Sequence, residues 1–233
     1  MLKTLFDAVM ERRVRKLIDH VDAWLPARGP VLDLGSGTGH LAARLEQERR
    51  LKVVTADVSD MHVVGRPPVL IVDGVLPFNE GTFSAALLFF MLAYPKDPAS
   101  VLAEAARVTR GPIILVQTLY SGPFGYTWHR VREFIWTFVA FHVSKLIGYV
   151  PADATFTMQT RRFYTDDTLQ QELRAAGLRV RSRRERQVLP GRALIVAGLL
   201  LEPSAVAATQ FSAATARCLA EAAEPRRRTA VAP

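Results

Sequence analysis

Short, uniformly apolar runs alternate along the chain with segments whose apolar positions recur every three or four residues. Residues 31–34, 52–56, 69–72, 83–92 and 112–118 read as strands, and 40–49 and 97–110 as helices between them. Strands without a polar alternation must be covered on both faces, so the pattern predicts an α/β fold with a parallel sheet between two helical layers. Ahead of the first strand, Leu5, Val9, Val14, Leu17, Ile18 and Val21 form a helical stripe with basic residues on its outer side. Pro26, Gly29 and Pro30 end it. In the second half, 165–176 is helical, with Thr165 as its N-cap and Gly177 as its stop. The runs 178–189 and 193–201 are joined only by Pro190, Gly191 and Arg192, which permits nothing but an antiparallel pair.

The 233 residues are 49% hydrophobic and 22% charged, enough for one sizeable core. The expected organisation is one domain over 1–203, comprising an N-terminal helix in 1–29 and a helical insertion at 120–162. An Ala-rich helix with a flexible basic tail follows over 204–233. The net charge of +8 favours anionic partners and says nothing of the fold. A single cysteine, Cys218, excludes an internal disulfide and a multi-cysteine zinc site, and it fits a reducing, cytoplasmic setting. Charges interrupt the N-terminus too early for a secretory signal, and Thr137, His142, Ser144 and Lys145 break the longest apolar stretch, 134–150, before it could span a bilayer.

The chemistry concentrates in Val31-Leu-Asp-Leu-Gly-Ser-Gly-Thr-Gly-His40. Three alternate glycines leave a strand and enter a helix, where the missing Cβ atoms allow a tight turn and close approach of a ligand. Asp33 ends the strand, in place to orient a cationic amino group. Asp57 ends the next strand, 20 residues beyond Gly37, in place to accept both hydroxyls of a ribose. A nicotinamide fingerprint spaces its third glycine one residue further on, so that reading is excluded.

These residues resemble the class I S-adenosylmethionine-dependent methyltransferases, in particular the small-molecule group that includes the ubiquinone and menaquinone C-methylating enzymes. Asp33 through Gly39 matches the first motif and Ala56-Asp57-Val58-Ser59 the second. Asp73-Gly74 before Leu76-Pro77-Phe78 is similar to the segment that holds the adenine amino group. Glu104-Ala-Ala-Arg107-Val-Thr-Arg-Gly111 is similar to the helix and turn after the fourth strand. The resemblance implies a Rossmann-like, doubly wound, seven-stranded sheet, mostly parallel with an antiparallel last strand, plus a helical lid insertion. It implies S-adenosyl-L-methionine as cofactor, held by Asp33, Gly35, Ser36, Gly37, Gly39, Asp57, Val58, Asp73, Gly74 and Phe89. Ala93-Tyr94 stands where the family often has two histidines, which removes a borrowed catalytic role there.

The acceptor is narrowed by exclusion. Phe89-Phe90-Met91-Leu92 replaces the tetrad that methylates exocyclic amines of DNA bases, Cys218 is too far from the motifs to attack a pyrimidine, and no carboxylate cluster follows the fifth strand to hold a metal. The insertion instead carries Phe124, Tyr126, Trp128, Phe134, Trp136, Phe138, Phe141 and Tyr149. Its apolar surface, over 124–150, has several uses open to it: a second layer of core, a pocket for a hydrophobic small-molecule substrate, peripheral contact with a membrane, or a homodimer interface. His129 and Tyr126 are the catalytic candidates. The polar neighbours Arg130 and Arg132 predict that His129 is less buried than His142, and His40 is expected to pack beside the cofactor. Methyl transfer by in-line displacement to a hydrophobic small-molecule acceptor, a quinone, lipid or polyketide-like compound, is the first reading. RNA methylation through the basic faces and a non-catalytic cofactor-binding interaction protein are the alternatives; the absence of a recognition module weighs against nucleic acid.

Overall fold

A computed structural model describes residues 2–135, 139, 141–150 and 160–203. Trp136, Phe138, Cys218 and the helix and tail expected over 204–233 lie outside the described residues. The chain runs through helix α1 (Leu2–Val21), strand β1 (Pro30–Leu34), helix α2 (His40–Arg49), and strands β2 (Lys52–Asp57), β3 (Val69–Leu70) and β4 (Ala85–Phe89). Helix α3 (Pro98–Val108) and strand β5 (Ile113–Tyr120) follow, then α4 (Gly122–Phe134), α5 (Phe141–Leu146), α6 (Asp166–Ala175), β6 (Leu178–Gln187) and β7 (Leu194–Pro203).

The seven strands form one sheet in the order β3-β2-β1-β4-β5-β7-β6. The pairs β3–β2, β2–β1, β1–β4 and β4–β5 are parallel; β7 is antiparallel to both β5 and β6. The fold is therefore the Rossmann-like α/β architecture with an antiparallel last strand. The period of two in the strands sorts the core into two layers. Leu32, Leu34, Ala86, Leu88 and Leu115 face α3 and α6 through Leu102, Ala105, Leu169 and Leu173. Val31, Leu87, Ile114 and Val116 face α1 and α2 through Val14, Leu17, Ile18, Leu41 and Leu45.

Helix ends follow local chemistry. Asp97 caps α3 by accepting from the Ser100 N–H at 3.1 Å, with Pro98 in the first turn. Thr165 and Thr168 form a reciprocal capping box on α6. Two strands are shorter than expected. Strand β3 stops at Leu70 because Asp73 and Gly74, with φ of 54° and 75°, turn the chain back between Val72 and Val75. Strand β4 stops at Phe89 because Phe90 adopts φ of 58°. The arginines of β6 are largely spent on neighbouring carboxylates, with Arg179 on Glu202 at 2.6 Å and Arg183 on Asp166 and Glu185, while Arg184 covers the Trp24 ring.

Candidate functional site

The glycine turn between β1 and α2 is fixed from both sides. At Gly39, φ is 81° and a Cβ would stand 2.3 Å from the Val64 carbonyl oxygen, so no other residue fits without moving that loop. Ser36 Oγ meets His62 Nε2 at 2.8 Å, tying the turn to the loop after β2. The Gly37 N–H donates to Asp57 Oδ2 at 2.9 Å, and the Val58 N–H donates to Asp57 Oδ1 at 2.7 Å. Burial raises the Asp57 carboxyl, an effect opposed by the N–H donors of Gly37, Val58 and Ser59 and by nearby His62.

Asp33 is 2% exposed, and its Oδ2 has no hydrogen-bond partner. Burial first, and the charge of Asp57 second, push its carboxyl up to about 7. A buried carboxylate without a partner is costly and is satisfied by a cation brought to it. Asp33 lines a cavity of about 430 Å³ together with Gly35, Ser36, Gly37, Thr38 and His40 of the turn. A Cβ at Gly37 would meet nothing within 4 Å, so the turn presents bare backbone to open space. An amino acid moiety with a cationic amino group fits both features, and S-adenosylmethionine carries one.

The rest of the cavity is greasy and comes from places that no single sequence motif combines. Helix α1 contributes Leu5, Phe6, Val9, Met10 and Arg13, and the end of β4 contributes Phe89, Phe90, Met91 and Tyr94. Positive φ at Phe90 turns the chain there, and the Arg13 guanidinium lies 5.1 Å over the Phe90 ring. From the insertion come Phe141, Ser144, Tyr149 and Val150. Tyr149 packs on Phe6 and donates its hydroxyl to Asp7 Oδ1 at 2.9 Å; the phenol oxygen also lies 3.2 Å from His40 Nε2. Burial, then Asp7, hold the Tyr149 phenol well above its ordinary value, so it rests as the neutral hydroxyl. The stripe on α1 signals burial, but not that a cavity lies beneath it.

Other predicted residues fall elsewhere. Asp57, Val58, Asp73 and Gly74 are not among the cavity's lining residues. They stand at the ends of β2 and β3, where the Ile71 N–H donates to the Asp57 carbonyl. The segment after Asp73 is held by α3: Glu104 accepts the Leu76 N–H at 3.1 Å, and Arg107 donates to the carbonyls of Leu76 and Phe78.

Tyr126 and His129 also lie outside the cavity lining, in an aromatic group with Tyr120 and Phe163. The expectation about the two histidines is reversed: His129 is 4% exposed and His142 is exposed. Adjacent residues on a helix point about 100° apart, so Arg130 does not report the face of His129. Arg132, three residues on, instead donates to His129 Nδ1 at 3.2 Å. The insertion also leaves Phe124, Trp128, Val131, Phe134 and Ile135 exposed. A second layer of core is thus not what these side chains form. No described helix is long and apolar enough to cross a membrane, and the described residues contain no cluster able to hold a metal.

A family described as "Methyltransferase domain" matches residues 6–183. The chain is 30% identical over 179 residues to a demethylmenaquinone methyltransferase of Corynebacterium kroppenstedtii, covering 73% of this chain and 75% of that one. It is 28% identical over 172 residues to a ubiquinone/menaquinone biosynthesis C-methyltransferase of Desulfotalea psychrophila, covering 65% and 66%. Geranyl diphosphate C-methyltransferase of Streptomyces coelicolor shares the fold at a TM-score of 0.55 and 8% identity, over 84% of this chain and 80% of that one. The chain belongs to the methyltransferase domain family, with the fold and glycine turn of the class I S-adenosylmethionine-dependent methyltransferases.

Proposed function

We propose that the chain transfers the methyl group of S-adenosylmethionine to a hydrophobic small molecule, of the quinol class. The observation that carries this reading is the two-ended cavity. The orphaned Asp33 oxygen and bare Gly37 backbone mark one end, and the side chains of α1, β4 and the insertion make the other apolar. The relatives named as a demethylmenaquinone methyltransferase and a ubiquinone/menaquinone biosynthesis C-methyltransferase support the same reading.

The cofactor supplies an already activated methyl group, and the protein supplies position and dryness. Asp33 would hold the amino group, Asp57 the ribose hydroxyls through the acceptor capacity its backbone donors leave, and the Asp73-Gly74 turn the adenine. Phe6, Met10, Phe90, Phe141 and Tyr149 would exclude water and hold the flat acceptor. The exposed stripe of Phe124, Trp128, Val131 and Phe134 would rest on a lipid surface in which such an acceptor dissolves, with the chain's +8 charge favouring anionic headgroups.

The test is methyl-labelled S-adenosylmethionine with the purified protein and a cell extract, partitioned into organic, RNA and protein fractions. Label in the organic fraction is expected. Label in RNA alone would replace this reading with nucleic-acid methylation.

A further inference from the structure

Among the polar groups in the apolar end of the cavity wall, Tyr149 belongs to a chain of contacts that leads outward. Its hydroxyl joins three parts of the sequence: Asp7 on α1, His40 at the start of α2, and the insertion itself. Ser144, the other insertion hydroxyl in the wall, is spent on the Phe141 carbonyl at 2.7 Å. His40 Nδ1 meets Thr38 Oγ1 at 2.9 Å, which fixes the ring. With the phenol O–H donated to Asp7, His40 Nε2–H donates to the phenol oxygen, with Asp7 Oδ1 also 3.5 Å from Nε2, and Nδ1 accepts from Thr38. A hydroxyl oxygen has two lone pairs, so these contacts leave one for a ligand. Tyr149 is 7% exposed, whereas the Asp7 side chain is 49% exposed. A buried oxygen in the wall is thus one hydrogen bond from water.

We propose that Tyr149 takes the proton an acceptor hydroxyl loses during methylation, and that Asp7 passes it to solvent. This rests on the quinol reading above. The acceptor's O–H bond breaks and its proton bonds to the Tyr149 oxygen, while the phenol's own proton moves to the Asp7 carboxylate and thence to water. The electron pair freed on the acceptor, at oxygen or through the ring at the adjacent carbon, forms the new bond to the methyl carbon. The sulfur departs with the former C–S pair. For transfer to carbon, loss of the ring proton afterwards restores the aromatic ring as a phenolate, whose oxygen takes a proton back from the Tyr149 hydroxyl, so that one proton leaves in all. Tyr149 is the catalytic residue of this step. Asp7 and His40, acting through it, are positioning residues.

The test uses the full chain and a prenyl-1,4-naphthohydroquinone kept reduced, with kcat, KM and cofactor affinity measured separately. Tyr149→Phe is expected to lower kcat by about a hundredfold while KM and cofactor affinity stay within about twofold. Asp7→Asn should do the same in kind. The double variant should be no slower than Tyr149→Phe, because the two act as one unit. Ring substituents that make the hydroquinone more acidic should shrink the loss, since a more acidic hydroxyl needs less help. A loss that is constant across the substituted series, that appears equally in cofactor affinity, or that adds between the two variants would reduce Tyr149 to a packing role and overturn the proposal. So would full activity in Tyr149→Phe. A wild-type chain that binds cofactor but leaves every hydroquinone unmethylated overturns the quinol reading and the relay with it; an active wild type with an equally active Tyr149→Phe overturns the relay alone.

Discussion

Asp57 Oδ2 accepts the Gly37 N–H at 2.9 Å, so the carboxylate that ends β2 also holds the middle of the glycine turn that follows β1. The two motifs are a single unit: the group that would receive the ribose is the group that shapes the bed for the amino acid moiety. Asp57→Ala removes both. Cofactor affinity should fall more than about tenfold, the scale of a lost charge-assisted hydrogen bond. Calorimetry with S-adenosylhomocysteine checks this, and unchanged affinity would refute the ribose assignment.

Asp33 gives a pH signature of opposite sign with and without cofactor. Its folded-state carboxyl sits at about 7 against an ordinary 3.8. Between those two values the folded chain holds a proton that the unfolded chain has lost. The stability this contributes is complete below pH 3.8 and is lost as pH rises through about 7. Without cofactor, Asp33→Asn should melt progressively higher than the wild type as pH is raised across that interval. Cofactor binding by the wild type should strengthen over the same rise, because its amino group needs the ionised form, and below neutral pH binding should release a proton. The Asp33→Asn variant should bind weakly, with an affinity that does not change with pH. Calorimetry in buffers of differing ionisation heat reads both the affinity and the proton release.

Gly39→Ala forces a Cβ to within 2.3 Å of the Val64 carbonyl oxygen at a φ of 81°. The strain is of the order of 1–3 kcal/mol. Urea unfolding should show a loss of that size, with the loop after β2 displaced and cofactor affinity reduced together.

Trp128→Glu and Phe124→Glu place charge on the exposed stripe of α4, outside the cavity lining. Sedimentation with phosphatidylglycerol vesicles should lose the variants and keep the wild type. Turnover of a water-dispersed acceptor should be unchanged. Equal sedimentation of both would remove the lipid-surface role.

The sheet and the glycine turn are legible in the sequence because their causes are local. Uniformly apolar strands advertise burial on both sides, and Gly35, Gly37 and Gly39 announce a turn that only glycine makes. The apolar end of the cavity is not, because its causes are distant. Tyr149 and Asp7 are separated by 142 positions, and no periodicity links them. The stripe on α1 reports that Val14 and Leu17 are buried, but the same pattern does not reveal that Leu5, Phe6 and Val9 roof a cavity. His129 misleads because Arg132, read as a sign of exposure, instead bonds the buried ring. The end of β4 reads too long because nothing in Phe89-Phe90-Met91 signals that Phe90 takes a left-handed backbone.

The place of β7 has a consequence for how the chain comes into being. Its residues pair with Ile113–Tyr120 on one side and with β6 on the other. Until Leu194–Pro203 has left the ribosome, β5 has an open edge of apolar residues, and β6 has no partner at all. The half that carries the glycine turn, β1 to β4, is complete much earlier. The nascent protein thus spends the synthesis of its second half as a nearly finished sheet with one adhesive border, dependent on its last strand to seal it.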